Sequence, residues 1–174
     1  TALFTIPMAA FYLYTPPHLQ ELGLVHTAAW MSLGQITEVV AMLSLGTLLA
    51  RWRLKWILAC GVALGVLRYA LSAIGTQWGL IAGVVLHGAS FTLVIITAQI
   101  YLDQRVDPAW RARGQALMSL MNSGVGSMIG YLSTGGWFAV CTTDGQTRWP
   151  VFWSGLSAAM AAVLVFFLAM YRGR

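Results

Sequence analysis

The chain has 174 residues, of which 59% are hydrophobic and only 9% are charged. This composition is too apolar for an ordinary soluble domain and indicates a protein embedded in a lipid bilayer. The formal charge of +5 does not indicate a nucleic-acid partner, because the basic residues lie in short gaps between apolar runs rather than along one polar face.

The first apolar segment runs from Thr1 to about Tyr14, which is shorter than the roughly 20 residues that a helix needs to cross a bilayer. We interpret it as a truncated helix and expect that further chain preceded it. Pro16 and Pro17 are expected to end this helix, with a loop over residues 18–26, because prolines break helix interiors. A signal peptide is not expected, since the segment lacks a basic start and a small-residue cleavage site.

Five further apolar runs are long enough to cross a bilayer, and polar or charged turns separate them. They extend over Thr27 to about Leu49, Trp56 to about Ile74, Gly79 to about Leu102, Gly114 to about Val140, and Val151 to Met170. Together with the truncated first helix, they predict an all-α membrane protein with six transmembrane helices in one domain, residues 1–174.

The basic residues are unevenly distributed between the two sides of this predicted bundle. One side has only Arg148, and Arg68 lies inside a predicted span. The other side has eight basic residues: Arg51, Arg53, Lys55, Arg105, Arg111, Arg113, Arg172 and Arg174. The positive-inside rule makes this side cytoplasmic, so both ends of the chain are expected in the cytoplasm.

The tryptophans are expected to form belts at the two membrane interfaces in the same orientation. At the outer interface we expect Trp30, Trp78, Trp137, Trp149 and Trp153, and at the cytoplasmic one Trp52, Trp56 and Trp110.

The polar residues inside the spans are the candidates for function. A carboxylate in the middle of a membrane helix costs about 2.5–3.5 kcal/mol on insertion scales, so Glu38 is expected to face a partner or a watery cavity. Gln35 lies three residues earlier, which places it one turn away on the same helical face. His87 and Asn122 are predicted at a similar depth on two other helices. Secondary transporters bind substrates and coupling ions at this level.

Structural alternatives remain open for the ionisable residues. Glu38 could pair with Arg68 inside the bundle, and Arg68 could instead extend its guanidinium outward to the interface. His87 could satisfy a buried hydrogen bond or carry a proton. For Gln99 and Asn122 we favour hydrogen bonding between helices.

The glycines at positions 124, 126 and 130 favour close helix packing rather than a nucleotide-binding loop. Catalysis is not indicated, because an enzyme would need a nucleophile with a base, a pair of carboxylates or metal ligands. Glu38 and His87 alone do not supply such a set of catalytic groups. His18, His26 and Asp144 are too far apart in the sequence to predict a metal centre. We therefore expect no enzyme activity, cofactor or metal, and favour a transporter over a structural membrane subunit.

Five short motifs resemble the nucleoside:proton symporter family, a branch of the major facilitator superfamily. They are Gly34-Gln35-x-x-Glu38, Leu67-Arg68-Tyr69, His87-Gly88 with Phe91, Gln99-Ile-Tyr101, and Arg111-Ala-Arg-Gly-Gln-Ala116. The resemblance aligns nearly the whole chain with the C-terminal half of that family, transmembrane helices 7–12. It implies a missing N-terminal six-helix half and a location in the bacterial inner membrane.

The resemblance also implies a nucleoside substrate that moves together with a proton. Gln35 and Glu38 match polar substrate-binding positions, His87 stands where the family often has tyrosine, and Phe91 matches an aromatic residue that stacks on a base. Glu38, Arg68 and His87 are the candidates for proton coupling or charge pairing. A transporter of another small polar solute, such as a sugar, is the alternative.

The sequence departs from the family pattern at two positions. Thr92 stands where some members carry an aspartate, which weakens the case for proton coupling there. Ala50 replaces the aspartate of the superfamily's gate motif, which predicts a weaker gate.

Overall fold

A computed structural model describes residues 1–171, and these residues are almost entirely helical. Arg172 and Arg174, which contribute to the predicted cytoplasmic charge, lie outside the described residues. The first helix is divided into two parts, α1 (Ala2–Met8) and α2 (Ala10–Glu21).

The remaining elements follow in chain order with short connections. They are α3 (Thr27–Arg51), α4 (Leu54–Ser72), α5 (Gln77–Phe91), a π-helical turn (Thr92–Ile96), α6 (Thr97–Arg105), a 3-10 turn (Pro108–Trp110), α7 (Arg111–Ser119), a second π-helical turn (Leu120–Gly126), α8 (Ser127–Cys141), β1 (Thr142–Thr143), β2 (Gln146–Thr147) and α9 (Trp149–Met170). The two short strands pair as an antiparallel hairpin between α8 and α9.

The predicted end of the first helix at Pro16 and Pro17 is wrong, because α2 continues through both prolines to Glu21. Proline adopts a helical φ, and its main cost is the lost N–H bond and a clash with the preceding turn. Contacts with other helices stabilise the last turn of α2 and offset this cost. His18 is buried and accepts a hydrogen bond of 2.9 Å from the indole nitrogen of Trp153 on α9.

Four helical segments of the described chain are long and apolar enough to cross a membrane. They are Thr27–Arg51, Leu54–Ser72, Gln77–Arg105 and Trp149–Met170. The second π-helical turn joins α7 and α8 into a further long helical segment, and the first does the same for α5 and α6. Neither π-helical turn was expected from the apolar pattern, because one extra residue per turn does not change the composition of a helix.

The helices pack around α4, which lies between α5 and α9, while α3 packs on α5 and α1 packs on α8. The α1–α8 contact depends on two of the glycines that the sequence analysis assigned to close packing. A Cβ atom at Gly130 would lie 2.6 Å from the carbonyl oxygen of Ile6, and one at Gly126 would overlap the Thr5 hydroxyl. The packing interpretation is therefore confirmed for Gly126 and Gly130.

Two of the tryptophans expected in the outer belt are instead part of the core. Trp149 and Trp153 are buried, and the indole nitrogen of Trp149 donates to the Glu21 carboxylate at 2.5 Å. A buried indole needs a hydrogen-bond acceptor, and α2 supplies one for each ring. Trp78 is 77% exposed, as a residue of an interfacial belt should be.

Candidate functional site

The α3 helix presents Gln35 and Glu38 on an open face of the described chain. Gln35 is exposed and Glu38 is half-buried. The two residues lie one helical turn apart, so their side chains share this face. Among residues 1–171, no other side chain hydrogen bonds to either polar group. Both side chains are thus available to a ligand in this conformation.

The position of this face is set by a close crossing of α3 over α5. Gly88 makes the crossing possible, because a Cβ atom there would overlap the Gly34 carbonyl oxygen and lie 2.5 Å from the Glu38 amide nitrogen. Next to it, the Thr37 hydroxyl donates to the Val85 carbonyl oxygen at 2.6 Å. The crossing fixes the turn that carries Glu38 against the turn that carries His87.

Thr92, which stands where some family members have an aspartate, also lies at this crossing. Its side chain is fully buried, and its hydroxyl donates to the Glu38 carbonyl oxygen at 3.4 Å. Thr92 begins the first π-helical turn. Such turns occur often at functional sites, where they displace a helix locally.

His87 is only 1% exposed, and both of its ring nitrogens have partners within the chain. The Arg68 guanidinium donates to Nδ1, because a guanidinium has no acceptor. The neutral ring then carries its proton on Nε2 and donates to the Tyr12 hydroxyl oxygen at 3.2 Å. The imidazole also stacks on Phe11, with the ring centres 3.7 Å apart. In this conformation, His87 presents no free polar atom to a substrate.

Arg68 is 1% exposed and points into the bundle, so the alternative in which its guanidinium extends to the interface is wrong. The alternative pair with Glu38 is also absent, since no carboxylate of the described residues contacts the guanidinium. Nη2 donates instead to the Tyr69 hydroxyl at 2.5 Å and to the Met8 sulfur at 3.3 Å.

Aromatic rings complete the surroundings of the Arg68 charge. The guanidinium carbon lies 4.2 Å from the ring centre of Tyr69 and 5.3 Å from that of Phe11. Such contacts stabilise a desolvated cation without a carboxylate. Nε remains the one buried side-chain polar atom without a partner in the described part of the chain.

The same network extends to the junction between α1 and α2. The Tyr69 hydroxyl donates to the Pro7 carbonyl oxygen at 2.5 Å. Arg68 and its neighbours therefore connect α4, α5 and the divided first helix. The sequence left open whether this charge is buried, and the number and identity of its partners depend on which helices pack together.

Tyr12 was missed by the sequence analysis, which treated its segment as a plain apolar helix. It is 51% exposed, and its ring lies edge-on to His87 at 5.4 Å. The sequence feature that could have indicated Tyr12 is its hydroxyl group, which lies inside an apolar run. Phe91 is half-buried on the core, with its ring centre 6.4 Å from that of His87.

Asn122 and Gln99 lie outside this group of residues. The Asn122 side-chain oxygen accepts a bond of 2.9 Å from the Thr1 hydroxyl, so the expected hydrogen bond between helices is confirmed. The backbone carbonyl of Gln99 accepts from the Gln115 side chain at 2.9 Å, which joins two of the family-like motifs.

Two solved structures share the fold of this chain. The crystal structure of a point mutant of the nucleoside transporter NupG matches with a TM-score of 0.88, at 22% identity, over 98% of this chain and 46% of that chain. A second crystal structure of NupG matches with a TM-score of 0.81 at 23% identity.

The nucleoside H+ symporter family matches over residues 1–174, and the chain belongs to that family. The resemblance drawn from the five motifs is thereby confirmed. YegT of Escherichia coli K12 is 31% identical over 98% of this chain. The nucleoside permease NupG and the xanthosine permease of the same organism are 29% and 25% identical, over 84% and 96% of this chain. The chain covers only 43%, 36% and 42% of the lengths of these three relatives.

Proposed function

We propose that this chain forms the C-terminal half of a proton-coupled nucleoside transporter that works by alternating access. Its family and its relatives' names support the substrate class. The match to less than half of the NupG chain supports the division into two halves. In such transporters, one half rocks against the other around a site near the middle of the membrane.

The observation that carries this proposal is the open polar face of α3. Of the five acidic residues in the sequence, Glu38 alone lies near the middle of a candidate span. Its carboxylate and the Gln35 carboxamide can accept and donate hydrogen bonds with the ribose hydroxyls of a nucleoside. A carboxylate at this depth is also a site that a transported proton can occupy.

His87 acts in this proposal through Tyr12. Because Nε2–H donates to the Tyr12 oxygen, the hydroxyl proton of Tyr12 is free to donate to a substrate. Arg68 fixes the imidazole in the orientation that this requires. Phe91, on the same helix as His87, offers an aromatic ring for stacking on the base.

The proposed membrane arrangement has six spans, with both ends in the cytoplasm of a bacterial cell. The described structure contributes six helical segments, and the positive-inside distribution of Lys and Arg sets their direction. The cytoplasmic ends of the segments then include Arg51 and Arg111. Glu38 would lie close to the bilayer centre.

Glu38→Gln in the full-length protein tests the proposal. The substitution keeps the side-chain shape but removes the charge and the titration. We expect loss of nucleoside accumulation driven by a pH gradient, with nucleoside binding weakened about tenfold or more, as for a lost hydrogen bond to a charged group. Radiolabelled uridine uptake into proteoliposomes, with and without a pH gradient, and equilibrium binding are the measurements.

Gln35→Ala is the matched comparison, because it removes the neighbouring polar group and leaves the carboxylate. It should weaken uridine binding and retain the dependence of uptake on the pH gradient. Wild-type accumulation and affinity in Glu38→Gln would reject Glu38 as the coupling site. Competition of uridine uptake by a sugar, and not by other nucleosides, would reject the substrate class.

A further inference from the structure

A groove lies between α4 and α9 at the membrane end where α3 joins α4. We name it the basic groove, and its volume is about 630 Å³. Arg51, Trp52, Arg53 and Trp56 form its rim. None of the candidate substrate residues lines it, since Gln35 and Glu38 lie near the middle of α3 and the other two lie on α5. Its function is therefore separate from that of the α3 face.

The interior of the basic groove is apolar. Small residues of α4, Ala59, Cys60 and Ala63, form one wall. Leu164 and Leu168 of α9 form the other wall. These positions lie within two of the candidate membrane spans, so the surroundings of the groove are lipid rather than water.

The charge of the rim is uncompensated within the described chain. Arg51 and Arg53 are exposed, and neither forms an ion pair or side-chain hydrogen bond with another residue of 1–171. Lys55 adds a third cation beside the groove, and its ammonium donates to the Leu168 carbonyl oxygen at 3.5 Å. An anion at the rim would therefore meet these three cations, and no carboxylate of residues 1–171 forms an ion pair with them.

The two rim tryptophans place this end of the groove at the membrane interface. Trp52 is 52% exposed and Trp56 is 54% exposed, although both are large and apolar. Exposed tryptophans beside basic residues are typical of the level at which lipid headgroups lie. Basic pockets between membrane helices on the cytoplasmic side bind acidic headgroups.

We propose that the basic groove binds an acidic phospholipid of the cytoplasmic leaflet. Arg51 and Arg53 bind the headgroup phosphate, for which the planar guanidinium has matching donors. One acyl chain lies along the small residues of α4, against the two leucines of α9. An acidic phospholipid matches both features of the groove, because its headgroup phosphate is an anion and its acyl chain is apolar.

The test uses the purified full-length protein and phosphatidylglycerol, with phosphatidylcholine as the neutral lipid of equal chain length. Binding of each lipid is measured by native mass spectrometry. The wild type should bind phosphatidylglycerol in preference. The double variant Arg51→Gln/Arg53→Gln should bind it about thirtyfold more weakly, since each cation near the surface contributes about fivefold.

The matched control is Arg111→Gln/Arg113→Gln, which removes two cations at the same predicted membrane end but outside the basic groove. This control should keep the preference for phosphatidylglycerol. Equal losses in the two double variants would show general surface attraction and overturn the proposal. Unchanged binding in Arg51→Gln/Arg53→Gln would overturn it as well.

Ala63→Trp separates the acyl-chain part from the headgroup part, because it fills the channel and leaves every charge in place. Ala63 is exposed, so the folded protein should tolerate the larger ring. Phosphatidylglycerol binding should fall at least about tenfold, and soluble glycerol 3-phosphate should not compete in the wild type. Full lipid binding in Ala63→Trp, or competition by glycerol 3-phosphate, would exclude a lipid in the groove.

Discussion

Two neighbouring regions of the bundle differ in whether their polar residues are hydrogen bonded within the chain. Around Arg68 they are buried, and nearly every donor and acceptor has a partner within the chain. On the α3 face, Gln35 and Glu38 have no such partner in the described structure and are accessible. Only the close α3–α5 crossing at Gly88 separates the two regions.

This difference indicates which region supports the structure and which is available to a ligand. A buried polar group without a partner costs about 1–3 kcal/mol, so a network in the core must satisfy itself. A binding site needs the reverse, because hydrogen bonds already made within the protein are not available to a substrate. Mutations in the first region should therefore affect stability, and mutations in the second should affect binding and coupling.

Arg68→Leu should have the largest effect on stability. It removes the donor to His87 and Tyr69 and leaves buried polar atoms without partners, so we expect a loss of about 2–4 kcal/mol. Thermal unfolding and the yield of folded full-length protein are the measurements. Arg105→Leu is the control, because Arg105 is exposed and stacks only on Tyr101. An Arg68→Leu protein of wild-type stability would show that the network is not structural.

Gly88→Ala tests the boundary between the two regions. The added methyl group would collide with α3 backbone at Gly34 and Glu38, so we expect a loss of about 1–3 kcal/mol. Displacement of α3 should also weaken nucleoside binding. Thermal unfolding and equilibrium uridine binding measure the two effects.

Gly46→Ala, on the helix that Gly88 contacts, is the matched control for Gly88→Ala. A Cβ atom there has no neighbour within 4 Å, so stability should stay the same or rise slightly. If both alanine variants behave alike, the close approach of α3 to α5 is not what holds the face in place.

Tyr12→Phe should have the smallest effect on stability, because Tyr12 lies at the border and is half exposed. Loss of the hydroxyl should weaken uridine binding about fivefold, the value of one ordinary hydrogen bond. The melting temperature should change by only a few degrees. Tyr101→Phe, in the middle of α6, should leave binding unchanged. Wild-type uridine affinity in Tyr12→Phe would remove Tyr12 from the site.

Much of the fold could be predicted from the sequence, because apolar runs of bilayer length have few alternatives. The limits of α3, α4 and α9 lie close to the predicted ones. The glycine spacing in the second π-helical turn and α8 predicted close packing, and the order of the five motifs identified the family. The predicted helix end at the two prolines of α2 was wrong, because contacts from α9 outweigh the local cost of two missing N–H groups.

The sequence by itself determined that the chain lies in a membrane, which family it belongs to, and that Gln35 and Glu38 share a helical face. These properties depend on composition and on spacing along one helix, which are local. Only the tertiary structure decided that Arg68 bonds to His87 instead of Glu38, and that the Tyr12 oxygen accepts a hydrogen bond from the other imidazole nitrogen. The choice of partner for a buried polar group depends on which helices cross and how closely, and the distances between helices are not encoded in any single segment.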